Sequence, residues 1–118
     1  MILEQIETKL KELDPNVYYG AAWKHKAETV WDYIVFNRKI LKHSANKTSG
    51  SDYFEVTIIR ENYIPEGFET EVINKVTELA GMRLADVDGT YEYMQKPNTT
   101  VVVEALTLTF VRARKANG

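Results

Sequence analysis

From Asp52 to Ile64 the chain reads DYFEVTIIRENYI, with apolar side chains on alternate positions. Phe54, Val56 and Ile58 point one way and Glu55, Thr57 and Glu61 the other, the period of an extended strand with one covered face. Upstream, VWDYIVFNRKIL is rich in β-branched and aromatic residues. At period two it places Val30, Ile34, Phe36 and Ile40 on one face, which Asp32 and Arg38 interrupt. The two segments predict a long antiparallel hairpin, joined by a polar loop from Ser44 to Asp52 whose only apolar residue is Ala45. Two more strands follow, around Gly89–Gln95 and from Thr100 to Arg112, separated by the turn signal Lys96-Pro97-Asn98. In the last strand Val102, Leu106, Leu108 and Phe110 share a face, with Glu104 the exception.

Helical spacing occurs twice. Ile2, Ile6, Leu10 and Leu13 recur at steps of three and four until Asp14-Pro15 stops the run. After Pro65-Glu66-Gly67, an apolar stripe of Phe68, Val72, Val76 and Leu79 predicts a second helix. Glu66, Glu69 and Glu71 suit its positive end, and Gly81 suits a left-handed position after it. Between the first helix and the hairpin, Asn16–Gly20 has room only for a short strand. The order predicts an α+β fold: an antiparallel sheet of two hairpins plus a short strand, with both helices on one face. Phe110 and Leu108 are expected to pack on Val72 and Val76. At 118 residues with 44% hydrophobic content, the chain suits a single domain, residues 1–118.

Charge and motifs narrow the function. Fifteen basic and seventeen acidic residues leave a net charge of −2, which supplies no basic field for nucleic acid or an anionic membrane. No apolar run approaches a membrane span, and charges throughout the first thirteen residues argue against a signal peptide. There is no cysteine, hence no disulfide and no thiol nucleophile. His25 and His43 have no acidic partner at metal-ligand spacing, and no phosphate-binding, hydrolase or zinc-protease motif occurs. Asp86 and Asp88 around Val87 read as a tight turn. An enzyme, a metal and a cofactor are therefore not expected. Seven tyrosines (18, 19, 33, 53, 63, 91 and 93) fit either half-buried strands or interfaces.

Uncovered sheet edges invite partner strands, so a homo-oligomer is expected. Candidate interface residues are the loop and its flanks, namely Arg38, Lys39, Ser44, Asn46, Lys47, Thr48, Ser49, Ser51, Asp52 and Tyr53. Arg112, Arg114 and Lys115 join them as a basic cluster that projects into solvent after the last strand.

Together, the phrases MILEQIETKL, VYYG, WDYIVFNRK, DYFEVTIIRENYIPEG, ETEVINKVTEL with GMRLA, DGTYEYMQKP and VVVEALTLTFVRARK, in this order, resemble the tail terminator, or tail completion, proteins of long-tailed bacteriophages and related prophages. The resemblance spans nearly the whole chain and rests on element order, not on catalytic residues. It implies a structural virion protein, assembled in the host cytoplasm, that forms a six-membered ring on the end of the tail tube. Such a ring stops tube growth and meets the neck, or stopper, protein of the head. Its partners would be copies of itself, the tube protein and the neck protein, with no membrane contact and with DNA only passing through the lumen. Glu55, Glu61, Glu92 and Glu104 are candidate lumen-facing acids that would repel phosphates, or else the solvated face of a sheet. Two other readings are a stopper or adaptor of the neck, and a non-phage α+β domain that binds a small molecule in a cleft near Trp23 and Trp31.

Overall fold

The computed structural model describes residues 1–21, 31–43 and 50–114, and of Lys42, His43 and Arg114 the backbone alone. In chain order the elements are α1 (Ile2–Lys11), β1 (Val17–Tyr19), β2 (Tyr33–His43), β3 (Gly50–Glu61), α2 (Phe68–Thr77), β4 (Met82–Leu84), β5 (Thr90–Gln95) and β6 (Val102–Arg114). The strands form one sheet in the order β1-β2-β3-β6. Beyond β6, β5 pairs with residues 102–107 and β4 with residues 110–112. All pairings are antiparallel except β1 with β2. The fold is the α+β arrangement expected; the expected short strand, β1, runs parallel to β2 at the edge, and the short β4 is added.

Side chains sort by face because register partners share a side. Ile34, Ile58 and Leu106 form one row, Phe36, Val56 and Leu108 the next, and Phe54 and Phe110 the third. All are buried, in one cluster with Ile6 and Leu10 of α1 and Val72 and Val76 of α2. Both helices thus cover the same face, and Phe110 and Leu108 belong to the core with Val72 and Val76. Burying each such side chain favours folding by about 1.5–3 kcal/mol, which is why the four-residue steps of the helices and the two-residue steps of the strands dominate the architecture.

Asp14 does more than end α1. Its Oδ1 accepts a hydrogen bond from the Asn16 backbone N–H at 2.8 Å, closing a turn, and its Oδ2 meets Arg60 Nη2 at 2.8 Å. Arg60 also donates to the Ile59 carbonyl at 2.8 Å and lies 4.7 Å over the Phe68 ring. With Asp14 only 4% exposed, this ion pair ties the exit of α1 to β3 and to the start of α2. The ends of the helices are joined at the surface by two further pairs, Lys9–Glu78 at 2.7 Å and Lys75–Glu12 at 2.8 Å.

Four expectations change. The register of β2 against β3 slips between Arg38 and Ile40, so Lys39 is an extra residue and the strand bulges there. Ile40 consequently pairs with Tyr53 on the face away from the helices and does not share the side of Ile34 and Phe36; Val30 lies outside the described residues. Ser51 and Asp52 belong to β3, flanked by β2 and β6, and not to a loop. Val102 is exposed at the start of β6, whereas Val103 is buried on the opposite face. Gly81 is left-handed, at φ +77°, but it opens the turn into β4 after α2 has already ended at Thr77.

Candidate assembly interface

After Phe54 and Phe110 the next row is Leu41, Asp52 and Arg112, with Met82 of β4 at its end, and beyond it β2, β3 and β6 run on as a three-stranded arm to His43, Gly50 and Arg114. The molecule measures 52 × 27 × 24 Å with a radius of gyration of 15.5 Å, against about 13.5 Å for a compact domain of this length. Where the arm leaves the N-terminus of α1 there is a groove of about 350 Å³. Ile2, Leu41 and Phe54 give it an apolar floor, and Arg38, Lys39, Ile40, Asp52 and Tyr53 complete its walls. Ile40 and Leu41 are 46% and 52% exposed. Four of the sequence-predicted interface residues, Arg38, Lys39, Asp52 and Tyr53, converge here.

Two ion pairs beside the groove are long. Lys39 Nζ lies 3.6 Å from Glu55, and Arg112 lies 3.9 Å from Asp52, the two longest ion pairs among the described residues. Arg112 is thus in a strand and partly covered instead of projecting as part of a tail, because β3 offers Asp52 directly across the ladder. Arg114 continues β6 opposite Gly50. Lys115 and the loop residues Ser44, Asn46, Lys47, Thr48 and Ser49 lie outside the described residues.

The far edge of the sheet is also uncovered. Every residue of β5 is exposed. Its register puts Tyr91 and Tyr93 on the helix side, and Thr90, Glu92 and Met94 on the other. Tyr93 donates its hydroxyl proton to Glu104 Oε2 at 2.8 Å, a bond that raises the phenol above its ordinary value. The other oxygen of Glu104 accepts the Ile64 backbone N–H at 2.7 Å.

This geometry divides the four candidate lumen acids. Glu55, Glu61 and Glu92 face away from the helices, whereas Glu104 pairs across the ladder with Arg60 on the helix side. The four therefore cannot line one surface together, since the alternation of β6 puts Glu104 with Leu106 and Leu108. Glu61 accepts from Lys96 Nζ at 2.7 Å and from the Trp31 N–H at 3.3 Å, contacts that hold its carboxyl below the usual range. Glu55 accepts from Asn37 at 3.3 Å, besides its contact with Lys39.

Among the described residues, no cluster of three or more His, Asp or Glu is placed to hold a metal. His25 and Trp23 lie outside them, and only the backbone of His43 is described. Asp86 and Asp88 do flank a tight turn, in which the Val87 N–H donates to the Ala85 carbonyl at 2.8 Å. No described helix is long and apolar enough to cross a membrane. Sequence reasoning missed Leu41 and Val87 as surface residues, and it placed Ile2 with the core, where it packs, without its second place in the groove lining. Its available signal for the first groove was the adjacent pair Ile40-Leu41, which no regular alternation accommodates. No known protein-family model matches the chain, and no curated protein sequence matches it.

Proposed function

We propose that this chain is a structural subunit of the phage tail-terminator kind, which assembles with copies of itself into a ring, six-membered in that family, on the end of a tail tube. The ring would stop tube growth and offer the attachment surface for the neck of the head. The observation that carries the reading is the arm: strands that continue beyond the core rows and present exposed Ile40 and Leu41 beside a groove, in a sheet whose outer strand β5 is exposed throughout. Large exposed apolar side chains on a protruding element are the mark of a surface meant to be covered. Identical subunits that meet through two different surfaces close into a ring when the rotation permits. The order of sequence phrases quoted above supplies the tail-terminator part of the reading.

The test is mass in solution, alone and with purified tail tube protein, with electron microscopy of the mixture. Rings capping tube ends are the expected result. A chain that stays monomeric in both conditions sinks the proposal. Association with the portal side of the neck in preference to the tube end would reassign it as a stopper or adaptor.

A further inference from the structure

The groove beside the arm has a counterpart on the same molecule. Leu84, Phe110, Phe54 and Arg38 are successive register partners across β4, β6, β3 and β2. The groove thus lies at one side of this row, and the turn that follows β4 lies at the other. Three strand spacings, about 14 Å, separate the ends of the row, so the two features sit at one height on opposite flanks and cannot meet within one chain.

That turn has the shape and charge the groove lacks. Asp86-Val87-Asp88 is tightened by the Val87 N–H to Ala85 carbonyl bond, and Val87 is 51% exposed. Leu84 beside it is exposed as well. Asp86 and Asp88 enter none of the ion pairs among the described residues. The tip is therefore an apolar knob between two carboxylates. The groove is an apolar floor walled by Arg38, Lys39 and Asp52; Lys39 makes a long contact with Glu55, and Arg38 enters no ion pair among the described residues.

We infer that the occupant of the groove is a second copy of this chain, whose Val87 seats on Ile2, Leu41 and Phe54 while its Asp86 and Asp88 meet Arg38 and Lys39. The contact is head-to-tail, because donor and acceptor surfaces differ and lie at one height, and each bound copy leaves its own groove open for the next. This rests on the self-assembly proposed above and names the surfaces that perform it. Charge complementarity of this kind fixes orientation and partner choice.

Two variants test it, each altering an exposed side chain so that melting is unchanged. Val87→Arg disables the knob and Leu41→Arg the groove. Either alone loses self-association by roughly 30-fold or more, the scale of a hot-spot residue. Mixed at high concentration, they form a dimer and nothing larger, because one intact knob meets one intact groove. Sedimentation reads this directly, and high concentration compensates for the missing multivalency of a closed assembly. As an independent arm, reversing Arg38 and Lys39 to Glu weakens assembly, and adding Asp86→Lys and Asp88→Lys to the same chain restores it. If either single variant assembles like the wild type, or the mixture stays monomeric, the inference is overturned while the ring reading survives. A wild type that is monomeric alone and beside tail tube protein overturns both.

Discussion

At the scale of single residues, Asp14 and Arg60 show how much a chain can hide in side chains that look ordinary. Aspartate before proline announces the end of a helix, and that much was legible. Its partner lies in another strand, and no local pattern encodes the pairing. Removing one member of a buried pair strands a charge, so Asp14→Ala should lower stability by about 3–5 kcal/mol in chemical denaturation. Replacing both, as Asp14→Leu with Arg60→Met, should recover most of that loss because no unpaired charge remains; a double variant as unstable as the single would show that the Asn16 turn matters more than the charge pairing. Phe110 is the apolar counterpart. Fully buried between the two helices and β3, it should cost about 3–5 kcal/mol on truncation to alanine, and a nearly neutral melting temperature would contradict its place in the core.

Elements were legible in proportion to the length of their apolar pattern. α1, α2, β3 and β6 carry repeats long enough to declare both type and covered face. β4 does not: three residues are too few for a period, and Met82–Leu84 is extended because residues 110–112 offer it a ladder. β2 was read correctly from Ile34 to Arg38 and wrongly after it, since the bulge is settled by β3 and not by β2 itself. The helix pair also carries a pH signature. The bond from Lys75 holds Glu12 below the ordinary carboxylate value of about 4.5, and the bond from Lys9 does the same for Glu78. A carboxylate depressed by folding contributes stability that is complete above its unfolded value and disappears as pH falls through the folded one. The contribution of these pairs to the melting temperature should therefore be constant between pH 5 and 7 and should fall away below about pH 4.5. In Glu12→Gln/Glu78→Gln the acid limb should be shallower, with the gap to wild type closing at low pH; an identical limb would remove these pairs from the account.

For the molecule as a whole, the sheet and helices follow from the sequence, while the candidate interface was only half visible. Polar and charged flanks of the hairpin pointed to the right region, but Ile2 and Leu41 belong to it through the third dimension. Elongation gives a prediction at this scale. Reversing Arg112, Arg114 and Lys115 should weaken association with subunits or tube and leave melting nearly unchanged, because a half-covered ion pair as long as that of Arg112 with Asp52 contributes little to folding. Association that is insensitive both to this reversal and to salt would leave the cluster a solubilising feature.

The bulge at Lys39 has a consequence of a different kind, concerning parity and curvature. Counting back from β3, Ile40 faces Tyr53 and Leu41 faces Asp52 whether or not an extra residue precedes them. Within the subunit, deleting Lys39 thus leaves every remaining rung of the ladder intact and forfeits a weak surface contact with Glu55, so the shortened chain should melt like its parent, with Arg38 left as the groove's cation for a neighbour. What the deletion removes is the bend. A subunit that meets its neighbours through the arm has its angle of approach set by that bend, and the angle sets how many copies make a full turn. The single residue is then a gauge of subunit number: without it, electron microscopy should show assemblies of altered count, or open spirals, built from a fold that has not changed.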